Sequence, residues 1–175
     1  MFRLFKREMK VYLFEHYQEA FPGLRGRELT EFLIREVMKG YDICDAEILR
    51  TSKGKPYLKE GPFFSVSHSG GCFACLVDER PVGIDIQQRR SVKAREIGKR
   101  YFTAEEREYL AESGDSGFFF LWTRKEAYSK YTGRGLEEIL KGTSVLNRRD
   151  VEFVDFQLEK GLYCSCCIEK RQNIR

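Results

Sequence analysis

The spacing of apolar residues predicts first a helix and then a series of short strands. Between residues 25 and 39, Leu29, Leu33 and Val37 recur at helical spacing, and a glycine follows the last turn. This spacing predicts a helix over 25–39. The apolar runs that follow are shorter and are bounded by turn residues, which is typical of strands.

The predicted elements follow an order that repeats. The first helix is followed by strands, then by helices, and two more strands end the chain. The strands are predicted near 46–51 and at 62–68, 72–78 and 81–87, the helices at about 92–100, 104–112 and 117–131, and the last strands over DVEFVDFQLE and GLYCSCCIE, joined by a turn at Lys160 and Gly161. This order predicts an α+β protein of two similar halves, residues 1–82 and 83–175, which share element order but no sequence similarity.

The composition is that of a globular protein without a membrane span. Of the 175 residues, 42% are hydrophobic and 33% are charged. No apolar run approaches the roughly 18–20 residues that cross a bilayer. The first residues, MFRLFKREMKVYLFEHY, carry a charge every few positions and lack the apolar core of a secretory signal. We therefore expect a cytoplasmic protein with no membrane partner.

The net charge is only mildly positive. The chain has 31 Lys and Arg against 27 Asp and Glu, a balance of +4 that is too weak to indicate nucleic-acid binding but suits an anionic ligand or an acidic partner. Basic residues cluster over 89–100, where Glu96 is the one acidic residue. A solvated helix face explains this cluster more simply than a binding surface does.

The six cysteines raise the question of a metal site. Cys72 and Cys75 form a C-x-x-C pair, but residues three apart in a strand point to opposite faces and cannot hold one ion. Cys164, Cys166 and Cys167 also lie in a strand-like run. Buried apolar thiols in a reducing compartment are the better interpretation.

The strand VGIDIQ places an acid and a carboxamide side by side. Alternation puts Gly83, Asp85 and Gln87 on the face opposite Val82, Ile84 and Ile86. Two oxygen-bearing side chains on one face can help to hold a magnesium ion, with the glycine leaving room for a ligand. A wetted polar face of an edge strand explains the pattern equally well.

Three further segments have both a functional and a structural interpretation. SVSHSGG at 65–71 offers hydroxyls, backbone N–H groups and the imidazole of His68 to an anion, although a lone histidine is more often structural. SKGKPYL at 52–58 presents Lys53 and Lys55 in a basic turn, although a polar hairpin loop explains this segment more simply. Thr103 and Glu106 have the spacing of a capping box, which suffices to explain that glutamate.

The helix predicted at 117–131 carries a carboxylate in an unusual position. Trp122, Glu126 and Lys130 follow one another at intervals of four and so share one line of the helix. An exposed ion pair at this spacing contributes only about 0.3–0.5 kcal/mol. A carboxylate beside a buried tryptophan is costly unless it is paired or bound to a metal, which favours a cleft.

In order and spacing, these motifs resemble those of the Sfp-type 4'-phosphopantetheinyl transferases. The chain contains GKP, SVSHSGG, VGIDI, RYFTAEE and LWTRKEAYSKYTGRGL, and the resemblance covers roughly residues 24–140. It implies a pseudo-twofold fold in which antiparallel strands pack on helices and coenzyme A lies between the halves. It also implies magnesium-dependent transfer, with manganese as a possible substitute, of the phosphopantetheine arm of coenzyme A to a serine of an apo acyl or peptidyl carrier protein, releasing adenosine 3',5'-bisphosphate.

The resemblance also implies roles for individual residues. Asp85 and Glu126 would be the metal ligands, with Gln87 a weak or water-mediated third, and Glu126 would help to deprotonate the serine. Lys130 would contact the pyrophosphate and complete a catalytic set with Asp85 and Glu126. The remaining coenzyme contacts would be Arg27, Lys55, Ser67, His68 and Lys125, all expected from the motif positions. The 3'-phosphate contacts of larger members have no clear counterpart, and Lys6, Arg7 and Lys10 are the candidates.

Two other functions stay open at this point. The chain could be a non-catalytic module that binds coenzyme A or a carrier protein, since Gln87 replaces the glutamate of many members. The 89–100 cluster could bind nucleic acid, which the resemblance argues against. Under the leading hypothesis that cluster and the helix after it would be a docking surface for acidic carriers, and the protein would act as a monomer.

Overall fold

Antiparallel sheets and helices form four layers. The computed structural model describes residues 2–6, 9–43, 45, 47–158 and 161–171, with the backbone alone over 2–6 and at 141. The strands are β1 Phe2–Lys6, β2 Met9–Glu15, β3 Ile48–Arg50, β4 Pro56–Leu58, β5 Phe63–Ser69, β6 Cys72–Asp78, β7 Val82–Gln88, β8 Val151–Leu158 and β9 Leu162–Glu169. The helices are α1 Tyr17–Ala20, α2 Gly26–Met38, α3 Ala94–Tyr101, α4 Ala104–Thr132 and α5 Leu136–Gly142.

The first layers are helix α2 and a four-stranded sheet. The strand order is β1-β2-β6-β5, and every neighbouring pair is antiparallel. The apolar stripe of α2 packs on this sheet because Leu29, Leu33 and Val37 bury against Phe64 and Phe73.

A second sheet forms the next layer and is covered by the later helices. Its order is β7-β9-β8, again antiparallel. Helices α3, α4 and α5 cover its outer face with an aromatic-rich core that includes Phe118, Phe119 and Tyr163. The fold is therefore α+β with antiparallel strands packed on helices, as the sequence predicts.

The two sheets share a core between them. Val82, Ile84 and Ile86 of β7 bury there against Val11 and Leu76 of the first sheet. This confirms the predicted alternation of VGIDIQ. Cys72 belongs to this inner core, whereas Cys75 faces α2, so the two thiols do point to opposite faces. Within the described residues, no three His, Cys, Asp or Glu side chains are grouped to hold a metal ion.

A row of serine hydroxyls joins the two sheets along β5 and β7. We call Ser65, Ser67 and Ser69 the serine row. Their Oγ atoms accept the backbone N–H groups of Ile84 (3.1 Å), Ile86 (3.3 Å) and Gln88 (3.0 Å), respectively. Strand β7 is an edge strand of its own sheet, so these N–H groups would otherwise lack a ladder partner.

The segment predicted as a basic turn is part of a β-hairpin. Strands β3 and β4 form a separate two-stranded sheet. Arg50 at the end of β3 pairs with Glu31 of α2 at 3.2 Å. Lys55 donates to the carbonyl oxygens of Val82 (3.0 Å) and Lys130 (2.6 Å). The hairpin thus connects α2 to β7 and α4.

Most predicted elements are confirmed, and several elements of the structure, among them the four-residue helix α1, were not predicted. The break predicted between the helices at 104–112 and 117–131 is confirmed, because α4 is kinked at Gly114, whose φ of 61° is not helical. Strands β1 and β2 are additional, since frequent charges hide their alternation. Helix α5 is also additional and is only seven residues long. The start of the predicted strand at 46 and Lys160 of the predicted turn lie outside the described residues.

None of the helices in the described ranges is long and apolar enough to cross a membrane.

Gly83 does not leave room for a ligand, contrary to the sequence-based expectation. The backbone of α4 lies directly on it: a Cβ at this position would overlap the Ala127 carbonyl oxygen and lie 2.5 Å from the Tyr131 nitrogen. The glycine is needed because helix and strand approach each other this closely.

Replacing Gly83 with alanine should therefore destabilise the protein by about 3 kcal/mol or more, since backbone atoms rather than a flexible side chain must move. Urea unfolding measures this change. Gly23→Ala is the matched control, because a Cβ there meets no atom within 4 Å. Equal stability of the two variants would contradict the close packing of α4 on β7.

Candidate active site

A cleft of about 1180 Å³ contains most of the predicted site residues. Helix α2 and the β3–β4 hairpin line one side, and β5, β7 and the end of α4 line the other. The cleft brings together Arg27, Lys55, Ser67, His68, Asp85, Gln87, Glu126 and Lys130. These residues are up to 103 positions apart in the chain, and the packing of the sheets brings them to one place.

Asp85 is the most enclosed carboxylate of the cleft. It is 1% exposed and accepts hydrogen bonds from three side chains. Ser67 Oγ donates to Oδ1 at 2.7 Å, Lys130 Nζ to Oδ1 at 2.8 Å, and Gln87 Nε2 to Oδ2 at 3.1 Å. These donors stabilise the ionised carboxylate in a position that would otherwise be costly.

Glu126 lines the same cleft from helix α4. Burial and, to a lesser extent, the nearby charge of Asp85 raise the pKa of its carboxyl to about 7, although Lys130 and a hydrogen bond with Trp122 act in the opposite direction. The line of Trp122, Glu126 and Lys130 along the helix is therefore confirmed. Trp122 itself is half-buried rather than buried, and it stacks on Phe118 with ring centroids 5.7 Å apart.

Lys130 pairs with Asp85 rather than with Glu126. The Asp85 carboxylate lies on the neighbouring strand, 2.8 Å from the ammonium. The spacing of four along the helix therefore does not produce the simple surface salt bridge that it would allow. Instead, Asp85 of β7 lies together with Glu126 and Lys130 of α4 in one part of the cleft.

The carboxylates of this cleft suit a divalent cation. Two acids that share a poorly solvated site repel each other, and the raised pKa of Glu126 reflects this. A cation between them would remove the repulsion. Magnesium is commonly held by one or two carboxylates together with substrate phosphates, so Asp85 and Glu126 are a sufficient protein contribution. Gln87 uses its amide N–H toward Asp85 and keeps its carbonyl oxygen as an acceptor.

Lys125 is not a coenzyme contact, and that prediction is wrong. Its side chain is 0% exposed, and Nζ lies 2.9 Å from Glu106 Oε2. The ammonium also donates to carbonyl oxygens of α5 and the loop after it, the shortest of these bonds reaching Thr143 at 2.7 Å. Burial lowers the pKa of Lys125, and Glu106 partly offsets this. One step along a helix turns a side chain by about 100°, so Lys125 points away from the cleft that Glu126 lines.

Glu106 has the structural role that its spacing predicts. Its carboxylate accepts the backbone N–H of Thr103 at 2.9 Å, and the Thr103 hydroxyl accepts the N–H of Glu106 at 3.3 Å. Its other oxygen accepts the N–H of Val145 at 2.9 Å. Glu106 therefore caps α4 and holds Lys125, and both residues lie outside the cleft.

The predicted coenzyme contacts differ in the exposure of their side chains and in whether their polar atoms already have partners in the protein. His68 is exposed at the cleft, with its ring 6.4 Å from that of Tyr17. Arg27 is exposed on α2 and pairs with Glu31 at 2.7 Å. Burial lowers the pKa of Lys55 to about 8, and its ammonium is bound to two backbone carbonyls.

The sequence-based prediction missed two arginines of the cleft. Arg25 and Arg50 line it beside Arg27, and Lys53 of the hairpin joins them. The Nε atom of Arg50 is buried and has no hydrogen-bond partner among the described residues. Arg25 is the first residue of the predicted helix, whereas Arg50 belongs to no motif that could identify it.

Of the candidates for a 3'-phosphate site, only Lys10 has a described side chain. Lys10 packs over the ring of Tyr41 at 4.7 Å, and it does not line the cleft. The Lys6 side chain and Arg7 lie outside the described residues.

Lys125→Met should lower the free energy of unfolding by about 3–5 kcal/mol, because it leaves the Glu106 carboxylate buried without its partner. Lys53→Met, at an exposed position of the cleft, is the control for loss of a lysine and should change stability little. Thermal and urea unfolding measure both variants. A Lys125→Met protein as stable as the wild type would contradict the buried pair.

The chain is similar to known proteins over most of its length. Residues 81–171, just over half of the chain, match the 4'-phosphopantetheinyl transferase superfamily. The chain is 34% identical over 154 residues to 4'-phosphopantetheinyl transferase Sfp of Bacillus subtilis (strain 168), an alignment that covers 83% of this chain and 66% of the relative.

Two further relatives carry similar names. A 4'-phosphopantetheinyl transferase of Bacillus subtilis is 35% identical over 165 residues, with 89% of this chain and 70% of the relative covered. 4'-phosphopantetheinyl transferase HetI of Nostoc sp. is 31% identical over 142 residues, with 73% and 57% covered. The chain thus spans between a little over half and seven tenths of the length of these three relatives. By the superfamily match and by these identities, the chain belongs to the 4'-phosphopantetheinyl transferase superfamily.

Proposed function

We propose that this protein transfers the 4'-phosphopantetheine arm of coenzyme A to a serine of an apo acyl or peptidyl carrier protein and releases adenosine 3',5'-bisphosphate. The observation that carries this proposal is the meeting of Asp85, Glu126 and Lys130 in one cleft. The printed names of the relatives support the same reaction.

Asp85 and Glu126 would hold a magnesium ion, or manganese in its place, and Gln87 would contribute its carbonyl oxygen directly or through water. When bound, the ion would neutralise charge on the coenzyme pyrophosphate and on the departing phosphate. The enclosure of Asp85 and the raised pKa of Glu126 support this assignment, because both favour a nearby cation.

The chain's own residues would move the proton and stabilise the leaving group. Glu126 would accept the proton of the carrier serine, directly or through water, as the serine oxygen bonds to the phosphorus that carries the pantetheine arm. The bond from that phosphorus to the oxygen on the nucleotide side breaks. The side chain of Lys130 is 28% exposed and flexible, so its ammonium can contact this departing phosphate.

The basic end of the cleft would bind the nucleotide part of the coenzyme. Arg27 and His68 are exposed there and would contact phosphates, together with Arg25, Arg50 and Lys53. Lys55 would hold β7 and α4 together at the site, because its ammonium donates to the carbonyl oxygens of Val82 and Lys130.

The two halves, 1–82 and 83–175, would be related by a pseudo-twofold axis and act together as a cytoplasmic monomer. The arrangement of helix, sheet, sheet and helix supports two similar halves. The five described cysteines are free and buried, which suits a reducing compartment. The basic 89–100 segment, with Arg95, Lys99 and Arg100 exposed, would attract acidic carriers rather than nucleic acid.

The test is a mass-shift assay with purified apo carrier proteins, coenzyme A and magnesium. The wild type should add the mass of the phosphopantetheine arm to at least one acyl or peptidyl carrier. Glu126→Gln should lower the rate at least about a hundredfold, because it removes both a metal ligand and the proton acceptor. Glu152→Gln makes the same change at an exposed position of β8, outside the cleft and the docking surface, and should leave the rate unchanged.

An unshifted carrier across a panel that includes fatty-acid, polyketide and nonribosomal-peptide carriers would overturn the proposed reaction. Coenzyme A binding by calorimetry in that case would favour the alternative, a non-catalytic binding module. Full activity of Glu126→Gln would remove this residue from the reaction while leaving the reaction itself in place.

A further inference from the structure

We propose that Arg124 and Asp155 are positioning residues: their ion pair holds helix α4 against the second sheet, so that Glu126 lies beside Asp85 in the cleft. Both residues belong to the described part of the chain, and neither of them lines the cleft. The inference rests on the proposed function, because the placement of Glu126 matters to the reaction only if Glu126 and Asp85 act together.

Three polar side chains form one row across the second sheet. Ser165 of β9 is the register partner of Asp85 on β7 and also of Asp155 on β8. Directly opposite residues of antiparallel strands point to the same face of a sheet. Thr123 Oγ1 of α4 lies 2.9 Å from Ser165 Oγ, so this is the face that α4 covers. Helix α4 therefore crosses a polar row with Asp85 at one end and Asp155 at the other.

Two adjacent side chains of α4 bind the end of this row that lies away from the cleft. Arg124 donates to Asp155 from Nη2 to Oδ2 at 2.6 Å and from Nε to Oδ1 at 3.1 Å. Ser165 Oγ, next to Thr123, donates to Asp155 Oδ1 at 2.7 Å. We call these four residues, Thr123, Arg124, Asp155 and Ser165, the α4 clasp. It uses both oxygens of Asp155, so α4 cannot roll over the sheet without breaking charge-assisted hydrogen bonds.

Arg124 is held more firmly than an ordinary surface arginine. Its side chain is 15% exposed, and its guanidinium lies 4.2 Å from the ring centroid of Phe120 and 4.7 Å from that of Phe153. Its Nη1 also donates to the carbonyl oxygen of Val145 at 3.1 Å. A planar fork that is stacked and bidentate has a geometry that a lysine cannot reproduce.

The α4 clasp opposes a repulsion on the other flank of the helix. Arg124 and Glu126 are two residues apart, which places them about 200° apart around the helix. Glu126 lies on the flank of Asp85, and the two carboxylates repel each other. A roll of α4 would relieve this repulsion by moving Glu126 away from Asp85, and the Arg124–Asp155 pair resists that roll. A displacement of about 1 Å at a catalytic group can lower a rate by up to about a hundredfold.

The first experiment compares Arg124→Lys, which keeps the charge and loses the fork, with a matched control. Arg80 makes the same kind of contact: it binds Asp78 through Nε (2.9 Å) and Nη2 (3.1 Å) and donates to the Glu169 carbonyl oxygen (3.1 Å), in bonds that do not involve α4. Arg124→Lys should lower kcat about tenfold in the mass-shift assay, whereas Arg80→Lys should keep the wild-type kcat. Both variants should lower the thermal midpoint.

The same variants are compared for manganese binding in the presence of coenzyme A and without a carrier, measured by the electron paramagnetic resonance signal of free manganese. Arg124→Lys should raise the Kd for manganese at least about fivefold, because the two carboxylates no longer face one ion, and Arg80→Lys should leave it unchanged. Asp155→Asn removes the same ion pair from the other side and should match Arg124→Lys in both measurements. Wild-type values in Arg124→Lys or Asp155→Asn, or an equal loss in Arg80→Lys, would overturn the positioning role.

Crystal structures without metal or coenzyme test the placement itself. Relative to Asp85, the Glu126 carboxylate should be displaced by about 1 Å in Arg124→Lys and should superimpose in the wild type and Arg80→Lys. A Glu126 that superimposes in all three would refute the proposal. If the wild type transferred no arm to any carrier, the proposed function would fail, and these structures would still decide whether the α4 clasp positions Glu126.

Discussion

Strand β7 has a sheet partner on one side only, and the serine row of β5 satisfies the N–H groups on its other side. The candidate site depends on this junction. Because the bonds are made by side chains, the two sheets can stack over a shared apolar core while their edges stay joined. Within this junction Asp85 lies beside Ser67, at the wall of the cleft. On its outer face β7 meets the backbone of α4, which places Glu126 and Lys130 on the same wall.

The electrostatics of the cleft follow from this packing. Asp85 and Glu126 are both removed from much of the solvent, and their charges oppose each other. Such a pair is stable only if donors, a lysine or a bound cation offset the repulsion. Ser67, Gln87 and Lys130 provide the donors for Asp85. The second buried pair, Lys125 with Glu106, is satisfied by itself and therefore serves stability.

Much of the fold could be predicted from local pattern. The period of apolar residues identified α2 and strands β5 to β9 because each has one face in a core. It missed β1 and β2, whose charges interrupt the alternation, and it correctly placed a break in α4 around Gly114, whose backbone is not helical. Gly83 looked like space for a ligand because the sequence does not show which element fills that space.

Site residues could be predicted where several residues of a motif lie on the same face of one strand or helix. Asp85, Glu126 and Lys130 were identified by spacing within one strand or helix. Lys125 was assigned wrongly, since adjacency in a motif says nothing about which side of the helix faces the ligand. Arg50 and the serine row depend on contacts between distant segments, and the local pattern contains no signal for either.

The central claim is that Asp85 and Glu126, from different elements, bind one metal ion together. Crystals of the protein with coenzyme A and manganese, measured at the manganese absorption edge, test this directly. We predict one anomalous peak in contact with both carboxylates and with the coenzyme pyrophosphate, while Lys130 contacts a phosphate oxygen. A peak that contacts only one of the two carboxylates, or neither, would contradict the account.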